Sequence, residues 1–168
     1  MADSSIELIV FDLGGVLVEL AGVQRMMELT RQQLSLNELW RRWLASPAVR
    51  EFESGRLTEN DFARRLITEF ALPLNVAAFK REFEAWVKGP FPGVADTAER
   101  LARSFKLAIL SNTNHLHWQR IAGDMGFVHH FRYTLVWCET GEFKPDPEAY
   151  LHVLLAAGCP GARALYLD

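Results

Sequence analysis

This sequence predicts an α/β fold, a parallel sheet with helices on both faces and an all-helical insert, and three observations predict it. Short apolar runs rich in Ile, Val and Leu alternate with amphipathic helical stretches on short connections, the pattern of a sheet buried on both faces. Three of the runs end in polar residues: Asp12, Ser111-Asn112 and Asp168. Between the first run and the second, residues 19–89 hold helical periodicity and no strand pattern. Parallel strands bring their carboxyl ends to one sheet edge, where open α/β sheets bind ligands.

The first strand is expected over Ile6 to Phe11, closing at Asp12 with Gly14 and Gly15 beyond it. From about Gly22 the period becomes helical, with Val23, Met26, Met27 and Leu34 on one side and Arg25, Glu28, Arg31 and Gln32 mostly on the other. Ser35-Leu36-Asn37-Glu38 fits a capping box opening a second helix that carries Leu36, Leu39, Trp40, Trp43 and Leu44, and Pro47 closes or restarts it. Thr58 to Asp61 caps a helix with Phe62, Leu66, Ile67 and Phe70. Asn75 caps another that holds Val76, Phe79, Phe83, Trp86 and Val87 and stops at Gly89-Pro90. After the insert come a helix over Val94 to Ser104, a buried strand over Lys106 to Ser111, the polar turn Asn112-Thr113-Asn114 and a helix from His115 to about Gly123. A strand over Tyr133 to Trp137 leads into the loop Cys138 to Asp146. Pro147 starts a helix ending near Gly158, and a last strand runs from Ala164 into Asp168.

Composition narrows the function classes. The 168 residues are 49% hydrophobic, enough for one sizeable core or a core plus a small module. A net charge of −3, with 18 basic against 21 acidic side chains, gives no basic face for nucleic acid. Cys138 and Cys159 lie outside any metal-binding spacing and suit a reducing compartment. The N-terminus has no basic region, and the apolar run after it is too short to span a membrane, so a cytoplasmic protein is expected.

A carboxylate, a hydroxyl beside a turn, a lysine and a second carboxylate at one edge suit phosphoryl transfer. Asp12 would attack phosphorus, and water would hydrolyse the aspartyl-phosphate. Two carboxylates and a phosphate dianion repel, so positive charge is needed. Mg²⁺ on oxygen ligands would supply part of it and Lys144 the rest, while Ser111 and nearby backbone N–H groups would hold the phosphoryl oxygens.

Phe11-Asp12-Leu13-Gly14-Gly15-Val16-Leu17, Leu110-Ser111-Asn112-Thr113-Asn114, Lys144-Pro145-Asp146-Pro147-Glu148-Ala149-Tyr150 and Leu165-Tyr166-Leu167-Asp168 resemble the four ordered motifs of the haloacid dehalogenase-like (HAD) superfamily. The helical insert resembles its cap domain. The resemblance implies a parallel Rossmann-like three-layer sandwich core from residues 1–18 and 90–168, with an all-helical cap over 19–89. The first two motifs, with Glu53-Ser54-Gly55-Arg56 and Leu72-Pro73-Leu74, are particularly similar to sugar-phosphate phosphatases of the alpha-D-glucose-1-phosphate phosphatase type. This implies a Mg²⁺-dependent hydrolase of a small sugar phosphate. Asp12 would be the nucleophile and Lys144 the charge-neutralising residue. Ser111 and Asn112, with Lys144, would bind the phosphoryl group, and Asp12, the Gly14 carbonyl and Asp168 would hold the metal.

Two departures from the family pattern stand out. Many phosphatases of the superfamily carry a second Asp two residues after the nucleophile as general acid and base, and here that residue is Gly14. Members similar to this chain usually extend the fourth motif with another Asp and further elements, whereas this sequence ends at Asp168. Impaired turnover is therefore expected, together with self-association through an uncovered sheet edge. The alternatives are a metal-independent 2-haloacid dehalogenase and a non-catalytic binding or assembly module on the same fold. His115 and His117 are read as solvated helix positions, and the adjacent pair His129-His130 does not suit zinc. Trp40, Trp43, Phe79, Phe83 and Trp86 are read as insert core, with one of them a candidate for the pocket wall. Glu19 and Arg56 are candidate cap-side substrate contacts.

Overall fold

The computed structural model describes residues 5–31 and 33–168; the expected place of Gln32 on a polar helix face lies outside them. Strand β1 (Leu8–Phe11) lies between β4 (Lys106–Ser111) and β6 (Ala164–Leu167), and β5 (Tyr133–Val136) pairs with the far side of β4. All three pairings are parallel, with Phe11 opposite Ile109 and Leu167. All four residues of β1 are buried, as an inner strand covered on both faces requires.

Alternation decides which face each side chain supplies. Ile9 and Phe11 meet Leu107 and Ile109 on one face, beneath Ala98 of α6 (Val94–Ala102) and Trp118 and Ile121 of α7 (His115–Asp124). Leu8 and Val10 meet Ala108 and Leu110 on the other, beneath Ala149, Val153 and Ala157 of α9 (Pro147–Ala157). The layers are thus helix, sheet and helix. On the α6 and α7 side of the sheet, Leu165 and Leu167 of β6 remain 42% and 37% exposed.

Helices α1 (Gly22–Leu29), α2 (Leu36–Ala45), α3 (Pro47–Glu53), α4 (Glu59–Glu69) and α5 (Val76–Glu84) gather around an apolar cluster of their own. Its centre is aromatic: Phe52 stacks on Phe62 at 4.0 Å between centroids, and Phe83 lies edge-on to Phe62 at 5.1 Å. Ser35, Ser46, Thr58 and Asn75 each accept a backbone N–H three residues on, which is how four of these helices start. Pro47 therefore restarts a helix rather than ending one. At Ser35 only half of the capping box forms, since the Glu38 carboxylate pairs with Arg41 and Arg42. Arg25 of α1 grips Glu82 of α5 through two nitrogens, at 2.5 and 2.9 Å.

The structure corrects the insert in one respect. A two-stranded antiparallel ribbon, β2 (Val18–Leu20) with β3 (Val87–Pro90), joins it to the sheet, where an uninterrupted run of helices was expected. The helix expected to reach Gly89 ends at Glu84. Beyond it the Trp86 carbonyl accepts from the Ala21 N–H and the Leu17 carbonyl accepts from the Phe91 N–H, so backbone groups pair across the two connections instead of along a helix. A second correction falls in the expected loop after β5, whose first residues form a short helix, α8 (Trp137–Thr140).

Candidate active site

The carboxyl end of β1 carries Asp12, whose N–H donates to the Leu167 carbonyl at 2.9 Å, locking this turn to β6. Beyond it Gly15 turns the chain at φ 81°, a conformation that suits glycine. Opposite stands the loop after α8. Lys144 Nζ lies 3.0 Å from Asp12 Oδ1 and 3.6 Å from Asp168 Oδ1, and it donates to the Tyr166 hydroxyl at 2.9 Å. The Lys144 and Asp12 side chains are only 11% and 17% exposed. The contact between them is ionic rather than a directed hydrogen bond, for Asp12 Oδ1 has no hydrogen-bond partner among the described residues. Burial, with the Asp168 and Asp12 carboxylates nearby, pushes the Tyr166 hydroxyl far above its ordinary value, so it stays protonated.

Ser111 ends β4 and is buried, and its hydroxyl makes no hydrogen bond to the described residues although it lines the cavity in front of Asp12. Asn112 grips the Lys144 backbone. Its Oδ1 accepts the Lys144 N–H at 2.8 Å and its Nδ2 donates to the Lys144 carbonyl at 2.9 Å. One amide N–H and one oxygen lone pair remain, together with the main chain, so Asn112 can still meet a ligand. It fixes Lys144 to the end of β4. Asn114 then caps α7 by accepting the His117 N–H at 3.0 Å.

The cavity between sheet edge and insert measures about 410 Å³, and Asp12, Ser111 and Lys144 lie in its wall. The insert adds Trp40, Trp43, Phe83 and Trp86, together with Arg50 and Glu53 of α3. Four of the aromatic residues read as core thus form wall as well, and Trp40 is 45% exposed. Glu19 and Arg56, the expected contacts from the cap side, are not among the lining residues; Arg50 and Glu53 are. Arg50 stands 5.8 Å above the Phe143 ring, and burial raises the Glu53 carboxyl to about 8. No periodic or motif signal pointed to Arg50, while Glu53 stood within the quoted Glu53-Ser54-Gly55-Arg56.

His117 also corrects a reading, for it is packed rather than solvated. Its ring stacks on Phe83 at 4.3 Å, Nε2 lies 2.8 Å from the Phe83 carbonyl, and Nδ1 lies 3.3 Å from Asn114 Nδ2. A carbonyl only accepts, so Nε2 carries the hydrogen and Nδ1 accepts. Burial lowers the ring to about 4, and it is neutral at pH 7.

A family profile described as haloacid dehalogenase-like hydrolase matches residues 6–168. The chain belongs to the haloacid dehalogenase-like hydrolase family. Among curated relatives, a phosphoglycolate phosphatase of Pseudomonas putida is 30% identical over 170 residues, covering 95% of this chain and 61% of that protein. Phosphoglycolate phosphatase 1 of Pseudomonas aeruginosa is 28% identical, covering 95% and 61%. The chain therefore spans about three fifths of the length of these relatives. Two solved HAD-like structures share the fold. A HAD family enzyme of Bacteroides thetaiotaomicron, in complex with magnesium and inorganic phosphate, superposes with a TM-score of 0.76 at 21% identity, covering 96% of this chain and 84% of that one. The L-2-haloacid dehalogenase of Xanthobacter autotrophicus with chloropropionic acid covalently bound gives 0.63 at 23% identity, covering 96% and 69%. The particular likeness to glucose-1-phosphate phosphatases is not among these findings. Among the described residues no helix is long and apolar enough to cross a membrane.

Proposed function

We propose that this chain hydrolyses a small phosphomonoester through an aspartyl-phosphate on Asp12. The observation that carries this reading is the placement of Lys144 Nζ 3.0 Å from Asp12 Oδ1 in the wall of a cavity of about 410 Å³. A largely enclosed ammonium beside a carboxylate offsets part of its charge and gives incoming phosphoryl oxygens a cation. Asp12 then forms the bond to phosphorus, and water releases the phosphate. Ser111 donates its free hydroxyl to a phosphoryl oxygen, and the main chain at Asn112 provides a second contact. Residues 1–18 and 90–168 act as the catalytic unit, with 19–89 as a cap that walls off solvent.

The residues also fit Mg²⁺. Asp12 Oδ1 has no directed hydrogen bond, the Gly14 carbonyl accepts from no described backbone N–H, and the Asp168 carboxylate lies at the same edge. Two carboxylates and a carbonyl are hard oxygen donors of the kind Mg²⁺ takes alongside water and substrate oxygens. A bound Mg²⁺ would neutralise charge that Lys144 alone cannot. The relatives are named for phosphoglycolate, and the sequence resembles sugar-phosphate phosphatases, so both substrate classes belong in the assay.

The test is phosphate release from phosphoglycolate, a set of sugar phosphates and p-nitrophenyl phosphate, with Mg²⁺ or EDTA, by the chain and by Asp12→Asn. Mg²⁺-dependent release lost in Asp12→Asn is expected. Turnover of 2-chloropropionate surviving EDTA would replace the reading with dehalogenation, and equal release by Asp12→Asn would end it.

A further inference from the structure

The first motif lacks a proton donor two residues after Asp12, where Gly14 stands. A Cβ built on Gly14 would stand 2.5 Å from Leu20 Cδ1, the end of a half-exposed side chain that would have to turn aside. Hydrolysis of an unactivated phosphate ester still needs a proton for its leaving oxygen. The other groups at the cavity do not supply it. His117 is neutral, with its one N–H committed to the Phe83 carbonyl. Lys144 is held between two carboxylates and a tyrosine hydroxyl.

Among the residues lining the cavity, the carboxyls are those of Asp12 and Glu53. Glu53 ends α3, and its carboxyl makes no ion pair and no hydrogen bond among the described residues. The charged and titratable groups facing this space are Arg50 on the same helix, Asp12 and Lys144 from the sheet edge, and His117 from α7, with His115 beside the adjoining Gly55 turn. The remaining wall is largely aromatic and aliphatic. Such surroundings hold a carboxyl in its neutral form, and burial raises this one to about 8.

We infer that Glu53 is the general acid and base of this chain, serving from the insert side of the cavity the leaving group that Gly14 cannot serve. This rests on the hydrolysis reading above. As Asp12 forms its bond to phosphorus, the bond to the ester oxygen breaks and its electron pair takes the Glu53 proton, releasing the alcohol. The Glu53 carboxylate then takes a proton from the water that attacks the aspartyl-phosphate. Phosphate leaves, Asp12 is freed and Glu53 is neutral again. The insert thereby carries chemistry as well as wall.

The test compares the chain with Glu53→Gln and Glu53→Asp on an alkyl phosphate and on p-nitrophenyl phosphate, whose leaving group departs as a stable anion. For Glu53→Gln, kcat on the alkyl phosphate should fall about 10²- to 10⁴-fold. On p-nitrophenyl phosphate the same variant should release a burst of about one nitrophenolate per chain and then turn over slowly, because the base for the second step is gone. Glu53→Asp should recover part of both rates, and the alkaline limb of the pH profile should vanish in Glu53→Gln. A Glu53→Gln enzyme with kcat intact on the alkyl phosphate, or changed in KM alone, overturns the assignment while leaving Asp12 as nucleophile. Loss of the Asp12 dependence instead ends both.

Discussion

Replacing Lys144 with Met tests whether the buried ion pair organises the site. At 3.0 Å and an effective dielectric of about 20, the attraction between Lys144 and Asp12 is about 5.5 kcal/mol. Desolvation of both groups offsets much of this, since the side chains are 11% and 17% exposed. Removing the lysine alone leaves the Asp12 carboxylate buried without a counter-charge and near Asp168, and breaking a buried pair in this way costs about 3–5 kcal/mol. Asp12→Asn should cost less, because Lys144 keeps Asp168 at 3.6 Å and the Tyr166 hydroxyl. In Lys144→Met with Asp12→Asn the stranded charge is gone, so the double variant should be more stable than Lys144→Met alone. The expected coupling is about 2 kcal/mol. Urea denaturation of the four chains in EDTA, where no cation can stand in for the lysine, measures it. Additivity within about 0.5 kcal/mol would refute the pairing as the site's organising contact.

Two further outcomes follow from the same geometry. Asn112→Ala removes both hydrogen bonds that hold the Lys144 backbone and should cost about 1–3 kcal/mol, while lowering kcat through a misplaced ammonium; crystallography or amide exchange of the loop after α8 would register the release. His117 is neutral in the folded chain down to about pH 4, whereas the unfolded ring protonates below about 6.5, so the unfolded state binds more protons between those values. Its contribution is therefore whole above about pH 6.5 and lost as pH falls. Relative to His117→Gln, the chain should lose about 2 kcal/mol between pH 7.5 and pH 5 in denaturation experiments, and parallel pH profiles for the two proteins would refute a packed neutral ring.

Much of the fold was legible because the physical signals are local. An inner parallel strand reads as an unbroken apolar run, so Leu8–Phe11 and Lys106–Ser111 could be placed from their own residues. Caps are equally local, and Ser35, Thr58 and Asn75 marked helix starts that the structure contains. The β2–β3 ribbon was missed because its backbone partners are about seventy residues apart in the chain and neither strand alternates cleanly.

By itself the sequence determined the α/β class, the order of the four motifs and the proximity of their strand ends, since parallel strands leave no other place for Asp12, Ser111 and Asp168. Only the tertiary structure decided what each side chain faces. It turned the Asn112 amide onto the Lys144 backbone, packed His117 against Phe83 and opened Glu53 and Arg50 to the cavity. These are contacts between segments distant in sequence, fixed by how the insert seats on the sheet edge, and no spacing along the chain encodes that seating.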